Sequence, residues 1–356
     1  MKRFSVSCAR LSRVVLSLGA AALLGSLAVS AHAQVTLDMV TVGNPGNAND
    51  TGGTRNGAVA YSYQIGKYDV TIGQYTSFLN AADPNGTNPN GIYNSSMATD
   101  LNIAGISYTS GASTGSKYAV ISNGGNSSNR PITYVSWFDA ARFANWMTNG
   151  QGGGDTETGA YTLNGATSGN AVAANPGAAF RLPTNDEWYK AAYYSPNYGG
   201  VGVAGYYAYA TQSNTAPGNQ IGGTANQANY APGGVYSVTQ VAGYSASQNY
   251  LTDVGAFSGS GSFYGTFDQS GNVYQWNDLN GLPGSSRGLR GGYWFNSYPV
   301  YLSSSDSYSL DPSREDWVIG FRLASPFAVP EPSTCASLFA GLACGGYLRF
   351  RRRKRA

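Results

Sequence analysis

The segment GTFDQSGNVYQWND, residues 265–278, joins a turn to a strand of large apolar side chains. Gly271 and Asn272 adopt turn conformations at low cost, and the VYQW sequence that follows them favours a β-strand. A second segment, RGLRGGYWFN at residues 287–296, carries an Arg-Gly-Gly turn beside a strand predicted at 289–295. Short strands that meet glycine turns in this way predict a fold with few regular elements.

Three segments are predicted to form helices, because apolar residues recur at helical spacing in TIGQYTSFLNAA, SWFDAARFANWM and TNDEWYKAAYY. Each begins with a hydroxyl side chain that is followed three residues later by a polar residue, as in a capping box. These pairs are Thr71 with Gln74, Ser136 with Asp139, and Thr184 with Glu187.

Further strands are predicted at 37–42, 59–68 and 317–323. Long Gly/Asn/Ser-rich stretches separate the predicted elements, and these residues favour turns and loops. The sequence therefore predicts an α+β fold with long irregular loops. The predicted core aromatics are Trp188, Trp276 and Trp294.

Residues 1–33 have the three parts of a secretory signal peptide. A basic start precedes the apolar run 14–30, and Ala31-His32-Ala33 forms a small-residue cleavage site. We expect the exported domain to begin at residue 34. The alternative is that the apolar run is an uncleaved membrane anchor.

Residues 329–356 form a second targeting segment. Pro330-Glu331-Pro332 precedes the apolar stretch 335–348, which is shorter than the about 20 residues of an ordinary spanning helix, and an Arg-rich tail follows. This order resembles the PEP-CTERM sorting signal of Gram-negative bacteria. The resemblance implies transient inner-membrane anchoring through a short transmembrane helix at 335–348, followed by processing by an exosortase and release to the cell surface or extracellular matrix. The alternative is a plain C-terminal membrane anchor.

The basic charge of the chain lies in its ends. Between residues 34 and 328 there are 11 Lys and Arg against 17 Asp and Glu, although the whole chain has a net charge of +3. Nucleic-acid binding needs a basic surface that neutralises phosphates. The composition therefore predicts no nucleic-acid partner.

Cysteine and histidine are also confined to the ends of the chain. The three cysteines and the one histidine lie in the predicted targeting segments, at Cys8, His32, Cys335 and Cys344. The domain at 34–328 therefore has no thiol nucleophile, Cys/His metal site, histidine triad or disulfide. Its fold has to depend on its own core.

The ordered fragments of the chain are YQIGKYDVTIGQYTSFLNAAD, RPITYVSWFDAARFANWM, FRLPTNDEWYKAAYY, GTFDQSGNVYQWND, RGLRGGYWFN and IGFRLAS. In this order they resemble the sulfatase-modifying-factor domains, a family that includes the formylglycine-generating enzymes. The resemblance covers residues 37–325. It implies one domain at 34–328 with a C-type-lectin-like fold, in which the N- and C-terminal strands meet and calcium is often bound.

The residues at the family's active-site positions differ here. Formylglycine-generating enzymes oxidise a substrate cysteine with copper and oxygen, and they use two cysteines that follow an R-G-G-S motif. Counted from the Arg-Gly-Gly at 290–292, Tyr293 occupies the serine position, and Asn296 and Tyr301 occupy the cysteine positions. Because an amide and a phenol do not replace a thiolate pair for Cu(I), we expect no copper and no formylglycine-generating activity. The alternative is a divergent oxidoreductase of this type that modifies a sulfatase or another protein.

The resemblance also implies calcium sites. The first set is Asp268, Gly271, Val273 and Gln275. Gln275 stands where the family has Glu, and the loss of a charge lowers the expected affinity for calcium. A second site would begin at Asn229 and Tyr230, but no acidic residue is present near 246–247 to complete it. We expect at most weak calcium binding and no other cofactor.

The segment 293–308 is rich in aromatic residues, Ser and Asn, which form adaptable contact surfaces. The candidate contact residues are Tyr293, Trp294, Asn296, Tyr298, Tyr301, Ser303, Ser305 and Tyr308. The alternative is that this enrichment reflects the whole chain, which has 27 Tyr. We expect a non-catalytic binding or structural protein of the cell surface or biofilm matrix, with an extracellular polysaccharide or protein as its ligand.

Overall fold

The computed structural model describes residues 34–153 and 155–326, so the predicted signal peptide and the sorting motif with its apolar stretch at 335–348 lie outside the described residues. The α-helices of the described part are α1 (Ile72–Ala82), α2 (Ser96–Thr99), α3 (Trp137–Thr148) and α4 (Asn185–Tyr193). Its strands are β1 (Met39–Val42), β2 (Tyr63–Gly66), β3 (Ile106–Tyr108), β4 (Tyr118–Val120), β5 (Tyr194–Ser195), β6 (Gly205–Tyr206), β7 (Tyr274–Asn277), β8 (Arg287–Arg290), β9 (Tyr308–Leu310), β10 (Ile319–Gly320) and β11 (Ala324–Ser325).

The three predicted helices begin where their capping residues indicate. In α1, α3 and α4 the hydroxyl of the N-cap residue accepts a hydrogen bond from the backbone of the third helical residue, and that residue's side chain accepts one from the N-cap backbone. The capping boxes at Thr71, Ser136 and Thr184 are therefore confirmed. The short helix α2 was not predicted, because four residues give no helical periodicity. No helix in residues 34–153 and 155–326 is long and apolar enough to cross a membrane.

The two ends of the domain meet in a three-stranded antiparallel sheet. Strand β2 lies between β1 and β11, with Val42 opposite Tyr63 and Ala324 opposite Ile65. The expected meeting of the N- and C-terminal strands is thereby confirmed. The strand predicted at 59–68 is shorter than expected, because only Tyr63–Gly66 pairs with β1, and only Gln64 and Ile65 within it also pair with β11.

A four-stranded sheet, in the order β10-β7-β8-β9, holds the segment that decides the fold. Strand β10 runs parallel to β7, and the other neighbours are antiparallel, with Trp276 opposite Leu289. Strand β8 ends at Arg290, so the strand predicted at 289–295 is wrong beyond that residue. The reason is that Gly291 and Gly292 have φ angles of +102° and +71°, which a strand does not contain.

The strand predicted at 317–323 is also divided. Ile319–Gly320 pairs with β7, and the chain then crosses to the other sheet, where the carbonyl of Phe321 accepts from the Val70 N–H and that of Leu323 accepts from the Gly66 N–H. One continuous strand cannot serve both sheets. The crossing connects them and places Arg322 between them.

The core is built largely of aromatic side chains. Trp188 and Trp276 are fully buried and Trp294 is 1% exposed, which confirms all three predicted core tryptophans. The aromatic faces of α1 and α3 meet the crossing segment, where Phe143 packs edge-on against Phe321 at 5.4 Å between ring centroids. Much of the remaining chain is irregular, and the architecture is α+β, as predicted.

Gly271 holds the turn before β7 in a conformation that leaves no room for a side chain. Its φ is +87°, and a Cβ atom there would lie 2.3 Å from the carbonyl oxygen of Asn229. We expect Gly271→Ala to lower the free energy of unfolding by about 3 kcal/mol or more. The matched control is Gly265→Ala, with a φ of +81° and no atom within 4 Å. Its cost should be about 1 kcal/mol, measured by urea denaturation, and equal losses in both variants would contradict this account.

Asp139 predicts a pH dependence of stability. The carboxyl is buried in the first turn of α3, and burial, together with the nearby Glu315 carboxylate, raises its pKa from 3.8 to about 7. Because this pKa is higher in the folded state, the folded protein binds the proton more tightly, and stability falls as the pH rises from about 4 to about 7. Asp139→Asn should remove roughly 2–4 kcal/mol of that fall. Urea denaturation across this pH range measures it, and an unchanged slope in the variant would count against it.

Candidate functional site

The Arg-Gly-Gly turn after β8 brings the chain back on itself. A Cβ atom on Gly292 would lie 2.8 Å from the carbonyl oxygen of Tyr301. The turn is completed by Asn296, whose Oδ1 accepts from the Tyr293 N–H at 2.7 Å and whose backbone carbonyl accepts from the Ala231 N–H. Two glycines and one amide therefore hold residues 293–301 in a compact loop.

Arg290 anchors the base of this loop. Its guanidinium is buried, donates to the Thr54 hydroxyl and the Asp306 carbonyl, both at 2.7 Å, and also donates to Asn185. It lies over the ring of Tyr189 at 4.9 Å from the centroid. Burial lowers the pKa of Arg290, but the group has acceptors on three segments. The side chain thus fixes α4 and the chain around residue 306 against the turn.

Beside this loop lies a cavity of about 540 Å³, referred to below as the aromatic cavity. The loop supplies one wall, and strands β7 to β10 supply the rest. Its aromatic lining residues are Tyr274, Tyr293, Phe295, Tyr298, Tyr301, Tyr308 and Trp317. Its other lining residues are Leu289, Asn296, Ser297, Leu310, Asp316, Val318 and Ile319. The volume and the aromatic walls are typical of a pocket that holds a small molecule.

The aromatic rings of the cavity support one another. Tyr293 lies between Tyr274, at 5.4 Å, and Trp317, at 5.6 Å with perpendicular planes. Edge-on contacts of this kind hold each ring in one orientation. By contrast Tyr298 is 66% exposed and stands at the open side. The cavity therefore has a rigid floor and an accessible aromatic rim.

The phenols of the cavity are neutral, and one of them contacts a carboxyl behind the wall. Burial raises the pKa of Tyr293 and of Tyr274, so both hydroxyls keep their protons at neutral pH and can donate as well as accept hydrogen bonds. The Tyr274 hydroxyl donates to Asp306 at 3.4 Å, and burial raises the pKa of Asp306 to about 6. The cavity can thus bind hydroxyl-bearing ligands through several hydrogen bonds.

Five of the eight predicted contact residues line this cavity: Tyr293, Asn296, Tyr298, Tyr301 and Tyr308. Of the other three, Trp294 and Ser303 need correction, and Ser305 stays a prediction. Trp294 is buried and stacks on Tyr250 at 4.7 Å, so it belongs to the core. Ser303 is buried and donates to the Val300 carbonyl, and Ser305 is exposed outside the cavity lining.

Sequence reasoning missed the opposite wall. Tyr274 and Trp317 were assigned to strands, and Phe295 was not singled out, although all three line the cavity. The alternation of side chains along β7 places Tyr274 on the same face as Trp276, so the local pattern assigns Tyr274 to the core and does not indicate the cavity. Nothing local in the sequence indicates that Trp317 lies beside Tyr293, because the two come together only through the pairing of β10 with β7.

The residues at the family's cysteine positions do not fit copper. Asn296 is 7% exposed, and its amide oxygen is bound to the backbone of Tyr293. Tyr301 offers a phenol, whereas Cu(I) prefers thiolate or thioether ligands. Residues 34–328 contain no cysteine and no histidine that could take their place. The expectation of no copper therefore agrees with the donors that are present.

The predicted calcium ligands are engaged in other contacts. Gln275 Oε1 accepts from Trp188 Nε1 and from Arg322 Nε, both at 2.7 Å. These two donors occupy both lone pairs of the oxygen, and a buried guanidinium beside it repels a second cation. Asp268 is committed as well, since its carboxylate accepts from the Gly255 N–H at 2.6 Å. The set with Gly271 and Val273 does not fit calcium.

The residues predicted for the second calcium site also form hydrogen bonds within the domain. Asn229 Nδ2 donates to the Tyr250 carbonyl and to Asn272 Oδ1, both at 3.0 Å, and the Tyr230 hydroxyl donates to the Pro217 carbonyl. Both residues are 2% exposed. In the described part of the chain no group of three or more His, Cys, Asp or Glu is placed to hold a metal ion. These residues connect loops, which is a structural role.

Comparison with known proteins identifies the domain type. Residues 29–326 match the model of the sulfatase-modifying factor enzyme 1-like domain. No curated protein matches the chain. Among solved structures, Treponema denticola variable protein 1 is 18% identical, with a TM-score of 0.47 over 83% of this chain and 97% of that chain. CarF is 20% identical, with a TM-score of 0.45 over 82% and 99%, and PvdO from Pseudomonas aeruginosa is 17% identical, with a TM-score of 0.41 over 82% and 92%.

The contacts of Gln275 predict that calcium does not stabilise the protein. Millimolar calcium should leave the thermal midpoint within about 1 °C of its value with a chelator, since a ligand raises the midpoint only if it binds the folded state. Differential scanning calorimetry measures this, with magnesium at equal concentration as the control. A midpoint that rises steadily with calcium alone would contradict the assignment.

Proposed function

The chain belongs to the sulfatase-modifying factor enzyme 1-like family, and we propose that it is a non-catalytic member whose aromatic cavity binds a saccharide unit of an extracellular polysaccharide. The observation that carries the proposal is the aromatic cavity itself. It lies at the segment where the resemblance places the active site, and Asn296 and Tyr301 at the cysteine positions both line it.

The absence of the family's redox groups supports a binding role. The chain has no cysteine or histidine between 34 and 328, so it supplies neither thiolate nor imidazole to hold a redox metal. The carboxylates that could serve another reaction, in the adjacent pairs Asp186-Glu187 and Glu315-Asp316, also have partners. Glu187 is held by Arg181 in a buried ion pair at 2.6 Å, and Glu315 accepts from Asn94. The divergent oxidoreductase would therefore need a redox group other than a thiolate or an imidazole of this domain.

The lining favours a sugar ring among extracellular ligands. One face of a pyranose consists of C–H groups that pack against aromatic rings, and its hydroxyls need hydrogen-bond partners when they leave water. Tyr293, Tyr298 and Tyr301 offer both an aromatic face and a hydroxyl. A concave volume of about 540 Å³ suits a compact unit better than the flat face of a protein partner.

The location follows from the two predicted targeting segments. A signal peptide at 1–33 would direct the chain across the inner membrane, and the Pro-Glu-Pro motif with its basic tail would direct it to an exosortase. The acidic domain would then meet polysaccharide at the cell surface or in the matrix of a Gram-negative bacterium. Binding of a saccharide there would hold the protein within the matrix.

The test removes the accessible aromatic wall. The double variant Tyr298→Ala, Tyr301→Ala should bind at least about tenfold more weakly to the polysaccharides that the full-length protein binds on a glycan array, which corresponds to about 1.4 kcal/mol. The matched control is Tyr198→Ala, since Tyr198 is 38% exposed in the loop between β5 and β6 and does not line the cavity.

Titration calorimetry with the best array ligand gives the affinities. Equal affinity in the double variant and the native protein would contradict a saccharide site in the aromatic cavity. If the full-length protein retains a protein partner and binds no polysaccharide, its ligand is a protein and not a saccharide.

A further inference from the structure

We propose that the Asp316 carboxylate makes the aromatic cavity selective for amine-bearing saccharide units and against acidic ones. This inference rests on the proposed saccharide site and adds the chemical class of the bound unit. It follows from the charges around the cavity, the arrangement of one exposed ion pair and the electrostatics of aromatic faces.

The lining of the cavity has one carboxylate and no basic residue. All fourteen lining residues belong to the described part of the chain, and among them Asp316 alone carries a formal charge. A uronate or a phosphate that entered would find no cationic partner in the wall. An ammonium group would find a carboxylate, which forms the stronger charge-assisted type of hydrogen bond with it.

The guanidinium of Arg314 is turned toward Asp316. Arg314 donates to Asp316 Oδ2 through Nη2 at 2.6 Å and through Nε at 3.1 Å. Both donors use the same oxygen, so the other carboxylate oxygen receives no bond from Arg314. The Arg314 side chain is 59% exposed and that of Asp316 is 15% exposed. Such exposed pairs are weak, so an ammonium group of a ligand can compete with Arg314 for the Asp316 carboxylate.

A second carboxyl lies directly behind the aromatic wall. Asp306 accepts from the hydroxyl of Tyr274, which lines the cavity. Arg290, the cation closest to Asp306, binds the backbone carbonyl of that residue and is buried on the side of Thr54 and Asn185. Arg290 is not a lining residue, so it offers no contact to an acidic ligand.

The aromatic rings act in the same direction. The face of an aromatic ring carries negative electrostatic potential and attracts cations. Trp317 stands next to Asp316 in the chain and lies perpendicular to Tyr293 at 5.6 Å. Burial raises the pKa of Tyr293, and the Asp316 carboxylate raises it further, in keeping with a carboxylate close to this wall. A cation at the wall would thus lie beside aromatic rings and a carboxylate.

The test compares three oligosaccharides of equal length with the full-length protein. They are a β-1,4-linked N-acetylglucosamine oligomer, its deacetylated amine form and an oligouronate. Titration calorimetry should give the amine form the highest affinity, at least about tenfold above the oligouronate. The preference should weaken as salt is added, since added ions screen exposed charges.

Two variants should move this preference in opposite directions. Asp316→Asn removes the carboxylate and frees Arg314, so the amine form should bind about tenfold more weakly and the oligouronate more tightly. Arg314→Gln exposes the carboxylate, so the amine form should bind several-fold more tightly. Neither variant removes a backbone bond, since Asp316 accepts from the Tyr134 and Ile319 N–H groups through its main-chain carbonyl.

The outcomes separate the two proposals. Equal affinities for the amine form and the oligouronate would overturn the selectivity, and so would variants that shift both ligands the same way. The saccharide site would survive either result if the Tyr298 and Tyr301 double variant still lost binding. If none of the three oligosaccharides binds, the selectivity is overturned, and the array result then decides whether a saccharide site exists at all.

Discussion

The guanidinium of Arg322 is the contact on which the rest of the structure depends. It is completely buried, between the two sheets, and each of its five N–H groups has an acceptor. The acceptors are Gln275 Oε1, Asp69 Oδ1 and the carbonyls of Gly66, Lys67 and Phe267. Removal of a partner from a buried charge costs about 3–5 kcal/mol. The two sheets and the turn at 267 must therefore hold their positions together.

A second buried arginine, Arg290, connects the cavity loop to the rest of the domain in the same way. Arg290 binds acceptors on three segments and stacks on Tyr189, so the turn that starts the loop at 291 cannot move away from the domain. The glycines after it admit a sharp return of the chain that side chains would block. This framework does not require cysteine. The family's fold can therefore persist in a domain that contains no thiolate.

The predictable parts of this protein are those with a local physical cause. Capping boxes located three helices to within a residue, because the bonds that begin a helix join residues three apart. Strands were less predictable: 289–295 and 317–323 look continuous, yet glycine φ angles end one and a crossing between sheets divides the other. The composition of segment 293–308 correctly predicted five residues of the cavity. It did not separate them from Trp294, which belongs to the same segment and lies in the core.

The sequence by itself determined the family, the absence of thiols and imidazoles from the domain, the acidic charge of that domain and the helix starts. These depend on residue identity and on neighbours a few positions away. Tertiary structure alone decided that Tyr274 and Trp317 complete the aromatic cavity, that Gln275 serves an arginine instead of calcium, and that Asp316 carries the cavity's charge. Each of these arises from the pairing of β7 with β10, which joins residues more than forty positions apart. Such pairing depends on packing over the whole domain, and local sequence does not encode it.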